Sequence, residues 1–316
     1  MRFFDEPEKY SISEAAVFCR ILTKNRLFYV IFFCVLVLLH ACGGQDDPEA
    51  GKTKGHDEKQ PVKMVYVDWV SEKASAQVVR AVIEQKLERS CELLSVNPIA
   101  MWESIAAGDQ DVCVAAWLPS LHGDYYREHQ SDVDNLGPNL EGTRYGLVVP
   151  EYVDIDSIDE LAGSADRFEG RIIGIDPYAG VMGKTAEVIE EYDLEGFRLV
   201  SGSGPTMTSA LEKAVSDGRP IVVTGWTPHW KFAEWDLKYL SDPKGVYGDK
   251  EHIATIARKG LKKDMPRVYE FLEKFSWSPS DMEEVMLMAR SEDTTYSEAA
   301  KTWVNENSGL VSTWIE

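Results

Sequence analysis

The sequence predicts an α/β protein built as two domains joined by two chain crossings. Three observations carry that expectation. Short β-branched runs alternate with stretches at helical spacing. The alternation closes at Pro150 and restarts near Glu151, and a later strand pattern at 253–257 leads back to the first half. Finally, three of the strand runs each deliver a tryptophan: 63–68 into Trp69, 111–116 into Trp117, and 220–225 into Trp226, the last read as stopping at Gly225. Ligands of open α/β sheets sit at the carboxyl ends of the strands. Three indoles at such ends therefore predict one aromatic-walled site.

Taken in order, 64–68 reads as a strand, and 74–89 as a helix with Val78, Val79, Val82, Ile83 and Leu87 on one face. A strand follows at 92–96, then a helix at 98–107 opened by Pro98, where proline suits the first turn. The strand at 111–116 and a polar, aromatic helix at 124–130 come next, and 145–149 is the strand closed by Pro150. The second half begins with a helix start at 157–161. It continues as a strand at 171–175, a helix within 180–192, a strand at 197–201 and a helix at 205–217. The strand 220–224 precedes the return strand 253–257. The tail is helical over 266–275, 280–290 and 297–306. The expected boundaries are 62–150 with 249–316 for one domain and 151–248 for the other.

The 316 residues are 44% hydrophobic and 27% charged, and suit two domains of about 100–150 residues. The net charge of -20 is spread along the chain, which argues against a nucleic-acid partner and describes a solvated surface. Of five cysteines, only Cys91 and Cys113 fall in the folded body. In a doubly wound sheet their strands flank the first one, about 10 Å apart, so both are expected as buried free thiols.

Residues 27–41 form an apolar run after Lys24 and Arg26. A helix of that length spans about 22 Å, short of a bilayer core of about 30 Å, and matches a signal-peptide core. The run ends Leu39-His40-Ala41-Cys42-Gly43, which resembles a bacterial lipobox and implies lipidation at Cys42. It departs from that pattern at His40, and in the long acidic stretch with Asp5, Glu6, Glu8 and Glu14. A processed leader over 1–42 and an uncleaved anchor both put the body outside the cytoplasm. Residues 43–61 read as a flexible tether.

Enzyme signals are absent or broken. Gly183-Lys184-Thr185 and Gly51-Lys52-Thr53 end like a phosphate-binding loop, but the glycine needed five residues earlier is Tyr178 and Asp46. Gly202-Ser203-Gly204 is not a nucleophile elbow. His122, His129, His229 and His252 lack the spacing of metal ligands, so neither metal nor cofactor is expected. Among the tryptophans, Trp102, Trp277, Trp303 and Trp314 sit at helical positions and read as packing residues, as do Trp230 and Trp235 after the third strand. Three indoles at strand ends suit a quaternary ammonium. It has no N–H to donate, and the negative faces of rings attract it by about 0.5–2 kcal/mol each.

From about Val62 onward the chain resembles the substrate-binding proteins of glycine betaine/proline betaine-type ABC importers. The resemblance lies in Val223-Thr224-Gly225-Trp226-Thr227-Pro228-His229-Trp230-Lys231-Phe232 with 236–240. It lies also in Trp117-Leu118-Pro119 with His122 and Tyr125-Tyr126, and in Gly174-Ile175-Asp176-Pro177 before Ala179-Gly180-Val181-Met182. It implies a type II periplasmic-binding-protein fold, with a ligand cleft between two α/β domains and two crossover strands. It implies Trp69, Trp117 and Trp226 as the ammonium cage, and the backbone N–H groups of Gly180 and Val181 with His122 as the carboxylate site. Tyr145 is a candidate for a further wall or hydroxyl, and His229 is assigned to scaffolding. The expected role is an extracytoplasmic, lipid-anchored, monomeric receptor that hands glycine betaine to a permease and its ATPase subunit. A choline or carnitine receptor and a sensory module without transport are the alternatives.

Overall fold

The computed structural model describes residues 60–248 and 250–316. The leader, Cys42 and most of the expected tether lie outside those residues. Nine strands form one curled, mixed sheet in the order β2-β1-β3-β9-β4-β7-β5-β6, with β8 alongside β4. The first arm is β1 (Val62–Tyr66) between its parallel neighbours β2 (Cys91–Ser95) and β3 (Val112–Leu118), then β9 (Glu251–Arg258) antiparallel to β3. The second arm repeats the plan. There β5 (Arg171–Ile173) lies between its parallel neighbours β6 (Arg198–Val200) and β7 (Val222–Thr227), and β4 (Val133–Pro150) runs antiparallel to β7. The short β8 (Leu237–Tyr239) pairs with the end of β4.

Strand β4 belongs to both arms. Its first part pairs with β9 from Val133 to Thr143, and its second with β7 from Arg144 to Val148. This is the crossing that the sequence placed only at 145–149. Residues 133–143 hold Asp134, Asn135, Gly137 and Pro138, which read as turn formers. The register against β9 shifts three times there and absorbs them as bulges. At the other crossing, the pattern at 253–257 is the middle of β9.

Gly225 does not end its strand, because β7 continues through Trp226 to Thr227. Gly225 is opposite Gly146 of β4, and a Cβ there would stand 2.3 Å from Cγ2 of Val148. The missing side chain is what lets the Val148 side chain fit, so packing, rather than chain reversal, selects the glycine. Trp117 likewise lies inside β3 rather than beyond it.

Helices α1 (Val70–Lys86), α2 (Pro98–Ala106) and α3 (Gly123–His129) follow the strands of the first arm. In the second arm come α4 (Gly180–Glu191), α5 (Gly204–Ser216) and the single turn α6 (Lys231–Glu234). The expected helix at 157–161 is one 3₁₀ turn over Ile158–Leu161. The tail forms α7 (Leu261–Asp264), α8 (Pro266–Lys274), α9 (Pro279–Met288), α10 (Tyr296–Glu306) and α11 (Ser308–Ile315). Local chemistry starts most of the longer helices. Asn97 Oδ1 accepts the Ala100 N–H at 2.9 Å for α2, and Ser203, Ser278 and Thr295 make capping boxes for α5, α9 and α10.

The tail helices return to the first arm and bury an aromatic cluster. Trp303 stacks on Trp314 at 6.2 Å between centroids, and Trp277 meets Trp303 edge-on at 5.6 Å. Each buried indole removes on the order of 200 Å² from water, worth roughly 5 kcal/mol before ordering costs. These tryptophans pack, as does Trp102, but Trp277 sits in the link between α8 and α9 rather than on a helix. Cys91 and Cys113 are buried free thiols on β2 and β3, with β1 between them.

Candidate ligand-binding site

Corresponding strands of the two arms, β1 with β5 and β3 with β7, point their carboxyl ends at one another. One cavity lies between them, lined by Trp69, Ser71, Trp117, Leu121, His122, Tyr145, Ile175, Ala179, Gly180, Val181 and Trp226. Every residue that the sequence singled out for the ligand is in that lining. From β1 come Trp69 and the start of α1. The end of β3 supplies Trp117 and the loop with Leu121 and His122, and β7 supplies Trp226. Beyond β5 the chain reaches the start of α4 through Asp176 and Ala179.

The rings are held by bonds that cross between the arms. Trp69 donates its indole N–H to Asp176 Oδ2 at 3.0 Å, and Trp226 donates its own to Ser71 Oγ at 3.2 Å. Each indole is thus oriented by the arm opposite its own. Trp117 and Trp226 are buried, and Trp69 is half-buried. The Tyr145 hydroxyl donates to the Tyr247 backbone oxygen, which leaves its ring to the cavity. Of the two roles considered for Tyr145, the geometry favours the wall.

At the other end of the cavity stand N–H donors. Helix α4 has Ala179 at its N-cap, with no side-chain cap. Its first N–H groups, on Gly180 and Val181, donate to no group among the described residues. Free N–H groups and the helix dipole there favour an anion. Gly180 is also a point of close approach between the arms, since a Cβ on it would lie 2.7 Å from the Leu121 carbonyl oxygen. No larger residue permits that approach.

His122 adds a third donor. Its Nδ1 accepts the Trp117 N–H at 3.4 Å, which assigns the ring proton to Nε2. That Nε2 is buried without a partner among the described residues. Burial pushes its pKa down to about 4, so the imidazole is neutral at ordinary pH. Trp102 and Tyr125 meet the ring edge-on at 6.2 and 5.9 Å and fix its plane.

His229 is buried outside the cavity, as the sequence suggested. It packs edge-on against Trp226 at 4.8 Å, and its Nδ1 accepts the Lys231 N–H at 3.1 Å. Lys231 is fully buried, with Nζ 4.4 Å from the Trp226 ring centre, so scaffolding also backs the cage.

Sequence reasoning missed Ser71, Asp176 and Leu121 as parts of the site. Asp176 and its neighbours stand in a quoted motif, but nothing local shows that the carboxylate meets an indole 107 residues away. No side chain lining the cavity carries a formal charge. Among the described residues no His, Cys, Asp or Glu cluster could hold a metal ion, and no helix is long and apolar enough to cross a membrane.

Comparison with known proteins meets this geometry. Residues 60–306 match the family described as the substrate-binding domain of the ABC-type glycine betaine transport system. The chain is 49% identical over 147 residues to the glycine betaine/carnitine transport binding protein GbuC of Listeria monocytogenes, covering 46% of this chain. It spans about half of that relative, 49% of its length. Lactococcal OpuAC, solved closed with glycine betaine, is 40% identical with a TM-score of 0.77, covering 81% of this chain and 100% of that one. The glycine betaine/L-proline-binding protein ProX of Borrelia burgdorferi is 34% identical with a TM-score of 0.78, covering 81% and 97%. An ABC-transporter choline-binding protein solved with choline is 26% identical with a TM-score of 0.74, covering 80% and 91%. These relatives bear out the two-domain periplasmic-binding-protein fold. They are transporter substrate-binding proteins and not enzymes, and such proteins of ABC importers work outside the cytoplasm. The chain belongs to the family of substrate-binding domains of ABC-type glycine betaine transport systems.

Proposed function

We propose that this protein captures glycine betaine, or a closely related quaternary-ammonium carboxylate, and delivers it to the permease and ATPase of an ABC importer for osmoprotection. Trp69, Trp117 and Trp226 surround the trimethylammonium group, with the Tyr145 ring beside them. The N–H groups of Gly180 and Val181 and the His122 Nε2–H receive the carboxylate. The observation that carries this reading is a cavity with no formal charge, with indole faces and unpaired N–H donors in the same lining. Such a lining suits a zwitterion. A bare cation leaves the donors unpaired, and a bare anion leaves the rings without a partner.

Choline is the second reading, favoured by the choline-binding relative. It lacks a carboxylate, so the three N–H donors stay unpaired, at about 1–3 kcal/mol for each that is buried. Carnitine, for which the Listeria glycine betaine/carnitine binding protein is also named, keeps both charges but is longer. Titration calorimetry with glycine betaine, proline betaine, carnitine, choline and ectoine tests the reading. Glycine betaine is expected to bind at least tenfold more tightly than choline. Tight binding of choline with no heat from any betaine overturns it.

Because the cage draws on both arms, closure and recognition are one event. We assign the closing bodies to 62–150 with 249–316 and to 151–248. Lipidation at Cys42 tethers the receptor to the membrane in this reading. Radiolabelled fatty acid is expected to enter the wild type and not Cys42→Ala.

A further inference from the structure

Glu251 opens the crossing strand β9, where it lies opposite Thr143 of β4. It is buried, yet it is paired with no cation among the described residues. Instead its Oε1 accepts the backbone N–H groups of Ser120 at 2.8 Å and Leu121 at 2.9 Å, and Oε2 lies 3.1 Å from the same Ser120 nitrogen. Burial raises its pKa, and the backbone N–H groups work against that rise. Among the described residues the partners of this carboxylate thus come from one loop, the Ser120 and Leu121 amides with the Ser120 side chain, some 130 residues away in sequence.

That loop leaves β3 after Trp117 and is the first arm's contribution to the donor end of the cavity. Leu121 and His122 both line the cavity, and the Leu121 carbonyl oxygen is the surface on which Gly180 of α4 docks. The loop's other backbone ties run to its own flanks, β3 and α3. The His122 N–H returns to the Trp117 oxygen at 2.8 Å, and the Gly123 N–H to the Ser120 oxygen at 3.1 Å. The first ties the loop to the end of β3, and the His122 oxygen accepts the Tyr126 N–H of α3 at 2.9 Å. Glu251 fastens its backbone to the crossing strands.

We propose that Glu251 is a positioning residue for ligand binding: from the crossing strand it holds the Ser120–His122 loop where His122 and the Leu121 carbonyl meet the closing α4 terminus. It touches no ligand and acts through the loop. Two charge-assisted hydrogen bonds supply the hold. The strands about which the arms move are in this way bonded directly to the anion end of the site. The cage rings do not depend on the loop, since Trp117 is fixed within β3 and Trp69 and Trp226 by their own bonds across the cleft.

The test compares full-chain wild type, Glu251→Ala and Glu251→Gln. Its ligand arm rests on the glycine betaine reading above; its exchange arm does not. Loss of hydrogen bonds to a buried charged group typically weakens a linked equilibrium by roughly tenfold or more. Glu251→Ala is therefore expected to lose about tenfold or more in affinity for glycine betaine, and less than about threefold for choline, which has no carboxylate for His122. Glu251→Gln keeps an amide oxygen for the two N–H groups and is expected to recover most of the glycine betaine affinity. In the ligand-free proteins, the Ser120 and Leu121 amides are expected to exchange with solvent at least about tenfold faster in Glu251→Ala than in wild type. Equal losses on both ligands, or none, overturn the proposal; so does unchanged exchange at those amides. If wild type binds neither ligand, the betaine reading fails, and the amide exchange still decides the role of Glu251, with Glu251→Gln as the folded control.

Discussion

The indole N–H of Trp226 donates to the Ser71 hydroxyl at 3.2 Å, and that bond joins the end of β7 in one arm to the first turn of α1 in the other. A ring that lines the cavity is thus held by an edge contact with the opposite arm. Ser71→Ala removes the acceptor and leaves the ring in place. Glycine betaine affinity is expected to fall by about three- to tenfold, the usual worth of one hydrogen bond. Calorimetry checks this, and an unchanged melting temperature without ligand shows that the effect is on closure.

Trp226 itself separates packing from recognition. Trp226→Phe loses the bond to Ser71 and keeps an aromatic face, whereas Trp226→Ala loses both. The alanine variant is expected to bind glycine betaine at least tenfold more weakly than the phenylalanine variant, from about 0.5–2 kcal/mol of ring attraction plus lost contact. Equal affinities would show a ring that only fills space.

Gly180→Ala isolates the approach of the arms. Alanine in a helix is ordinarily favourable by about 1 kcal/mol over glycine, so the fold is expected to stand. The added Cβ would meet the Leu121 carbonyl oxygen at 2.7 Å, a backbone atom that Glu251 holds in place. Loss of glycine betaine binding by more than about tenfold is expected, with the open shape kept in small-angle scattering even at saturating ligand.

His122 gives a pH dependence with a defined sign. Burial lowers its pKa to about 4, against about 6.5 for a free imidazole. Above about pH 6.5 the ring is neutral in folded and unfolded chains, and its contribution to stability is fully present. As pH falls toward 4 the unfolded chain takes up the proton first, so that contribution is lost. His229 acts in the same direction, its pKa lowered by burial and by the charges of Lys231 and Arg290. The melting temperature is expected to drop by several degrees between pH 7 and pH 5, and less steeply in His122→Gln. The same variant is expected to lose more affinity for glycine betaine than for choline; equal losses would remove His122 from the anion end.

Much of this site was legible because its residues are fixed by local pattern. A strand run leading into tryptophan places Trp69, Trp117 and Trp226, whereas Gly180, Val181 and His122 come from the family resemblance, with a predicted helix start beside the first two. What could not be read locally was the identity of partners across the cleft. Ser71 and Trp226 are 155 residues apart, and Glu251 and Ser120 131; no periodicity links such pairs. The same limit explains β4. Its turn-forming residues are strand residues because β4 takes them up as bulges against β9. Gly225 was misread as a stop for a related reason, since Val148, which needs its space, comes from another strand.

The absence of formal charge from the cavity wall has a consequence for the medium in which the protein works. Salt weakens attraction between exposed ions, with a screening length of about 8 Å at 0.15 M and about 3 Å at 1 M. Ring faces and backbone N–H groups carry no net charge for mobile ions to screen. The chain's surface carries a net charge of -20, and mobile ions will mask it, but the grip inside the cleft will not loosen as the surroundings become more saline.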